Sequence, residues 1–117
     1  MSGHKIYQTP FARIYPMYVT KVERKGRSKA ELDAVIHWLT GYDEAGLAEV
    51  LADERSMDAF FAKAPAMNSA RALVTGVVCG VRVETVEDPL MKEIRILDKQ
   101  VDELAKGRSL AKVLRQA

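Results

Sequence analysis

Apolar side chains recur along most of this chain at the three- and four-residue spacing of a single helix face. Phe11, Ile14, Tyr15, Tyr18, Val19 and Val22 form the first stripe. Thr9 and Pro10 precede it as a cap followed by a proline at the first helical position, where the missing N–H costs nothing. Pro16 removes an interior hydrogen bond, which predicts a kink or a one-turn helix followed by a second one. Gly26 ends the element, with Lys21, Arg24 and Lys25 near the negative end of its dipole. Ser28 and Glu31 make a capping box for the next helix, whose buried stripe is Leu32, Val35, Ile36 and Leu39 and whose stop is Gly41. Asp43 caps a third helix carrying Leu47, Val50 and Leu51. Ser56 caps a short fourth carrying Met57, Phe60 and Phe61, broken at Pro65.

The last third holds the clearest pattern. Asp88 and Pro89 read as cap and first-turn proline. Leu90, Ile94, Leu97, Val101 and Leu104 then fall on one narrow seam, which places Lys92, Glu93, Arg95, Asp98, Lys99, Asp102 and Glu103 towards water. Lys99 and Glu103 are spaced to pair along that wet face. Gly107 breaks the helix, and Ser109 starts a final turn or two through Leu110, Val113 and Leu114.

Residues 68–87 admit two readings. As a helix capped by Asn68, the segment places Ala72, Gly76 and Gly80 on one small-residue face for close packing, with Leu73, Val77, Val78 and Val81 buried around it. As strands, the β-branched Val74, Val77, Val78, Val81, Val83 and Val86 are well suited, the glycines mark bends, and Arg82 and Glu84 alternate with Val81 and Val83. The expectation adopted is a buried helix through about residue 80 and an extended stretch over 81–87. The fold class that follows is all-α: one compact domain over residues 9–117 with about six helices, preceded by a short tail at 1–8.

Composition narrows the classes of function. The 117 residues are 48% hydrophobic, enough for a packed core, and 18 basic against 16 acidic side chains leave a formal charge of only +2. That balance demands neither a nucleic acid nor an anionic membrane as partner. The N-terminus carries no apolar run of signal-peptide length, and nowhere is there a stretch long enough to span a bilayer. With Cys79 as the single cysteine, a reducing cytoplasm is the expected compartment. His4 and His37 are not at ligand spacing, so neither a metal nor another cofactor is expected.

Candidate chemistry concentrates near the valine run. Cys79 as a nucleophile needs a neighbouring base or cation, for which Arg71 and Arg82 are nearest in sequence; between valines and glycine it reads better as a small core hydrophobe. Gly76 and Gly80 match neither a P-loop nor a dinucleotide fingerprint. Asn68, Arg71, Thr75, Arg82 and Glu84 form the polar set of the segment. Its arginines either pair with Glu84, Glu87 or Asp88, or bind an anionic ligand in a pocket that Tyr15, Tyr18, Trp38 and Tyr42 help to line. Lys21, Arg24, Lys25, Arg27 and Lys29 straddle a helix–glycine–helix junction like the phosphate-contacting part of a helix-turn-helix, but Glu31 and Asp33 on the second helix oppose that use.

Four stretches carry a family resemblance: Phe11-Ala12-Arg13-Ile14-Tyr15-Pro16-Met17-Tyr18, Trp38-Leu39-Thr40-Gly41-Tyr42, Thr75-Gly76-Val77-Val78-Cys79-Gly80-Val81-Arg82-Val83-Glu84 and Glu87-Asp88-Pro89-Leu90-Met91. In order and spacing the chain resembles the bacterial domain-of-unknown-function family numbered 2200 over nearly its whole length. The resemblance implies a compact multi-helical cytoplasmic domain and favours a helix for the valine segment. It brings no catalytic residue, ligand or activity.

No catalytic constellation stands out beside the many apolar helix faces, so the first functional expectation is a non-enzymatic interaction module, homodimeric through its C-terminal helices. The alternative is a small-molecule binding protein or enzyme that takes an anionic ligand at Arg71 and Arg82 near Cys79, with Asn68, Thr75 and Glu84 around it. Nucleic-acid binding through the basic cluster ranks third.

Overall fold

Two long helices at opposite ends of the chain, α1 (Phe11–Arg24) and α5 (Pro89–Ala105), lie against each other and set the frame on which everything else is mounted. The computed structural model describes residues 5–115. Between the two helices come α2 (Lys29–Thr40), α3 (Glu44–Asp53) and the single long turn α4 (Met57–Ala62); α6 (Leu110–Val113) closes the described chain. Val77–Val78 (β1) and Val81–Arg82 (β2) pair antiparallel as a minimal hairpin, and 3-10 turns occupy Lys5–Gln8, Ser69–Leu73 and Val83–Thr85. The fold is a compact, mainly helical single globule.

Capping residues set most helix starts as their chemistry requires. The Ser28 hydroxyl accepts from the Glu31 amide while Glu31 accepts from the Ser28 amide, both at 3.1 Å, so the capping box is complete. Asp43 accepts from Gly46 N at 2.7 Å, Ser56 from Ala59 N at 3.1 Å, and Asp88 from Leu90 N and Met91 N. The first helix starts differently from the expectation. Pro10 occupies the cap position itself, Phe11 is the first helical residue, and no side chain caps the end. The backbone substitutes: Phe11 N donates to Arg55 O and Met57 N to Thr9 O, both at 2.9 Å, stitching the start of α1 to the start of α4. Pro16 lies within one uninterrupted helix, its face exposed to water.

Aromatic packing fastens α4 to α1. Phe11 and Phe60 stack with ring centroids 3.9 Å apart and planes within 4°, and Phe61 meets Phe60 edge-on at 4.9 Å. Tyr42 also stacks on Phe60, with ring centroids 5.1 Å apart, and donates its hydroxyl to the Phe60 carbonyl at 2.6 Å. Lys5–Gln8 is not loose either, because Ile6 and Tyr7 pack against this core.

The valine segment departs furthest from expectation. Asn68 does cap a helical turn, but that turn is a five-residue 3-10 helix, and no small-residue helix face at Ala72, Gly76 and Gly80 exists. Gly76 at φ +109° and Gly80 at φ +75° lie in regions an α-helix never visits. Cys79, at φ +52°, precedes Gly80 in the two-residue turn, the type I′ geometry whose twist matches that of hairpin strands. The β-branched residues therefore decided the local structure, and the resemblance-based preference for a helix was wrong. The extended stretch over 81–87 is also interrupted, by the Val83–Thr85 turn.

On α5 the apolar face is broader than a narrow seam. Ile96, Gln100, Glu103 and Ala105 are buried with Ile94, Leu97, Val101 and Leu104, because neighbours flank the helix on more than one side. Glu103, expected to face water and pair with Lys99, is instead enclosed between Arg115 and Arg108. Lys99 turns to the hairpin and donates to the Val77 carbonyl at 3.2 Å.

Candidate functional site

The hairpin tip leans over the α1–α5 seam and leaves a cavity of about 260 Å³ beneath it. Ile6, Ile14, Val78 and Val101 supply apolar wall, Met17 stands exposed on the rim, and Tyr18, Lys21, Asp98 and Cys79 supply the polar atoms. Tyr18 donates its hydroxyl to Asp98 Oδ1 at 2.6 Å. The second oxygen, Oδ2, receives only a long 3.4 Å bond from Arg95. Burial pushes the Asp98 carboxyl above its ordinary value, outweighing the hydrogen bond from Tyr18 and the charges of Arg95 and Lys21. Burial, and then the facing Asp98 charge, hold the Tyr18 phenol well above its own ordinary value. Lys21 at the mouth is turned to Asp102 at 3.2 Å. An apolar recess with one hydrogen-bonded, partly desolvated carboxylate is the general composition of a small-molecule site.

A second groove, of about 370 Å³, runs between the Ser69–Leu73 turn and the first turns of α5. Arg71 crosses it, with Nε 3.0 and 3.1 Å from the two Glu93 oxygens and an NH1 bond to the Asn68 carbonyl at 2.8 Å. Ala72, Pro89 and Ile96 form its apolar side, and Lys92 adds a further cation.

The residues singled out in the sequence are thus distributed rather than gathered. Asn68 and Arg71 belong to the second groove, and Cys79 stands on the rim of the first cavity as an exposed free thiol, not a core residue. Arg82 pairs with Glu84 at 3.3 Å on the exposed hairpin flank, and lines neither opening. Glu84 also accepts from the Gly76 amide at 2.9 Å, which lowers its carboxyl pKa. Thr75 is exposed and lines neither opening. Glu93, not Glu87 or Asp88, is the carboxylate that Arg71 finds.

The four aromatic residues do not share a pocket. Tyr15 donates to Asp33 at 2.5 Å, Tyr42 belongs to the Phe60 stack and Trp38 packs half-buried against the core, which leaves Tyr18 as the one of the four at the cavity. His37 Nδ1 lies 2.7 Å from the Tyr42 carbonyl, and His4 falls outside the described residues. Among the described residues no three His, Cys, Asp or Glu side chains gather as metal ligands. Of the basic run, Lys21, Arg27 and Lys29 are held by Asp102, Glu31 and Asp33, leaving Arg24 and Lys25 without ion-pair partners among the described residues. No helix among the described residues is long and apolar enough to cross a membrane.

Sequence reading missed Asp98 and Tyr18 as partners. The available signal was spacing: Asp98 lies four residues after Ile94 and three before Val101, on the buried face of α5.

A family model described as "Uncharacterized protein conserved in bacteria (DUF2200)" matches residues 5–115. The chain belongs to this family. In fold it is similar to a solved structure, the crystal structure of the uncharacterized protein SP1917, with a TM-score of 0.89 and 43% sequence identity over 97% of this chain and 93% of that one. No curated protein matches the chain. The DUF2200 fold is therefore shared, and any function has to be argued from the side chains.

Proposed function

We propose that this chain is a small cytoplasmic binding domain that takes an apolar amine into the cavity between α1, the hairpin and α5. The observation that supports it is Asp98. Its carboxylate sits in an apolar recess, bonded to Tyr18 through one oxygen and only weakly to Arg95 through the other. A ligand ammonium beside the Asp98 carboxylate adds to the compensation that Tyr18, Arg95 and Lys21 give it, and the apolar wall takes the rest of the ligand. At about 260 Å³ the recess is the size of a single-ring molecule. The reading is of binding without chemical turnover. A free, exposed thiol on the rim supports a reducing compartment.

Cys79 provides the test. Its alkylation rate, followed by intact mass, should fall on saturation with phenethylamine and remain unchanged with the isosteric alcohol. Asp98→Asn should abolish the protection. Equal protection by amine and alcohol, or none by either, removes the proposal.

A homodimeric, non-enzymatic interaction module is the second reading, supported by Leu73 and Val77, which are 49% and 46% exposed near one another in sequence. The apolar faces of α5 are occupied inside the chain, so this reading places a dimer contact on the Leu73 and Val77 patch rather than on the C-terminal helices. Sedimentation of the wild type against Leu73→Glu tests it: a concentration-independent monomer in both excludes this reading.

A further inference from the structure

Independently of the Asp98 cavity, we propose that the groove between the Ser69–Leu73 turn and α5 binds a small organic monocarboxylate with an apolar body. Three charged side chains line it: Arg71, Lys92 and Glu93. Glu93 is committed, both of its oxygens lying on Arg71 Nε. One cation therefore remains uncompensated, and the structure identifies it. Lys92 is a half-buried residue, and its ammonium has neither hydrogen bond nor ion pair among the described residues. Arg71 is held along its Nε edge by Glu93 and by NH1 on the Asn68 carbonyl, while NH2 donates to nothing among the described residues.

Two sets of unused donors, one guanidinium and one ammonium, thus border the same opening. A guanidinium already fixed by a carboxylate and a carbonyl is pre-organised, so little conformational freedom is lost when its remaining N–H groups take a ligand. The first amides of α5 take no part, since Asp88 already accepts from Leu90 N and Met91 N. Charge fixes the ligand's head as an anion and its valence as one, because a single positive charge is left over. Ala72, Pro89 and Ile96 define the remainder as apolar, and about 370 Å³ accommodates one ring with a short substituent.

Benzoate is the probe, with benzamide as the uncharged isostere, titrated at millimolar concentration into the full chain and followed by amide NMR. Saturable shifts confined to residues 69–72 and 92–96 are expected from benzoate, and none that saturate from benzamide. Lys92→Gln removes a side chain on which no other described residue depends, so the fold should be intact, and its benzoate affinity should drop roughly tenfold. The proposal is overturned if benzamide matches benzoate, if the shifts map elsewhere, if nothing saturates, or if Lys92→Gln binds as well as wild type. The Cys79 protection experiment reads the other cavity, so either result leaves the other unaffected.

Discussion

The Tyr18 hydroxyl donates a 2.6 Å hydrogen bond to the Asp98 carboxylate across a sequence separation of 80 residues, joining the middle of α1 to the middle of α5. Removing the donor while leaving the ring, as in Tyr18→Phe, strands a partly desolvated carboxylate oxygen. The expected cost is about 1–3 kcal/mol in urea denaturation at neutral pH. The same substitution in an Asp98→Asn background should cost clearly less, and a fully additive double mutant would show that the two groups do not interact.

Asp98 also sets a pH dependence of known sign. Its folded-state pKa is raised by burial, so between the ordinary carboxyl value and that raised value the folded state holds a proton that the unfolded state has released. Its contribution is full below the ordinary value and is lost as pH rises through the folded one. The stability of the wild type minus that of Asp98→Asn should therefore fall with rising pH across this window. A difference that grows instead would contradict burial as the dominant influence.

Glu31 is expected to behave oppositely. Its bond to Arg27, then the Ser28 amide, lowers its carboxyl pKa from 4.5 to about 2. The unfolded state then binds the proton more readily, so this stabilisation is complete above 4.5 and disappears as pH falls towards 2. Measured against Glu31→Gln, the wild type should lose its advantage over that acid interval. Salt should reduce the advantage only in part, since the two side chains are 16% and 30% exposed.

Two left-handed glycines separate strain from collision. Gly80→Ala, at φ +75° with open space around it, should lose only the conformational penalty, about 1 kcal/mol. Gly41→Ala, at φ +79°, would also bring a Cβ to 2.7 Å from the Ala66 amide nitrogen, and should cost roughly 2–4 kcal/mol. Thermal unfolding of the pair checks the order, and equal losses would exclude the backbone contact.

The C-terminal segment hangs on a buried charge. Glu103 holds Arg115 with both oxygens and also meets Arg108 at 3.0 Å. Glu103→Ala leaves two cations without their partner and should cost about 3 kcal/mol. Hydrogen exchange at residues 110–115 should rise with it. Protection unchanged there would mean that Gln100, which donates to the Val113 carbonyl at 3.1 Å, suffices alone.

Helix caps were the most legible part of this protein, because Ser28, Asp43, Ser56 and Asp88 act through atoms only two or three residues away. The hairpin was misjudged because glycines spaced four apart suit a helix face as well as a turn. What decided it was the run of β-branched valines on either side of Cys79 and Gly80, which take the positive φ of a two-residue hairpin turn. The site residues were hardest to read. Asp98 and Glu93 look like surface charges in a heptad pattern, and only the fold shows that Tyr18 and Arg71 arrive on their side of α5. Arg82 and Cys79 were three positions apart in sequence, yet the turn sends them to different surfaces.

The pairing of α1 with α5 has a consequence for how the protein is made. Phe11, Tyr15, Tyr18 and Val22 emerge from the ribosome long before Ile94, Leu97 and Val101 exist to help cover them. Phe60 and α2 can cover Phe11 and Tyr15 earlier, but the Tyr18 side of the first helix waits for Asp98 and the rest of α5, so the nascent chain carries an uncovered apolar edge until its last third is made.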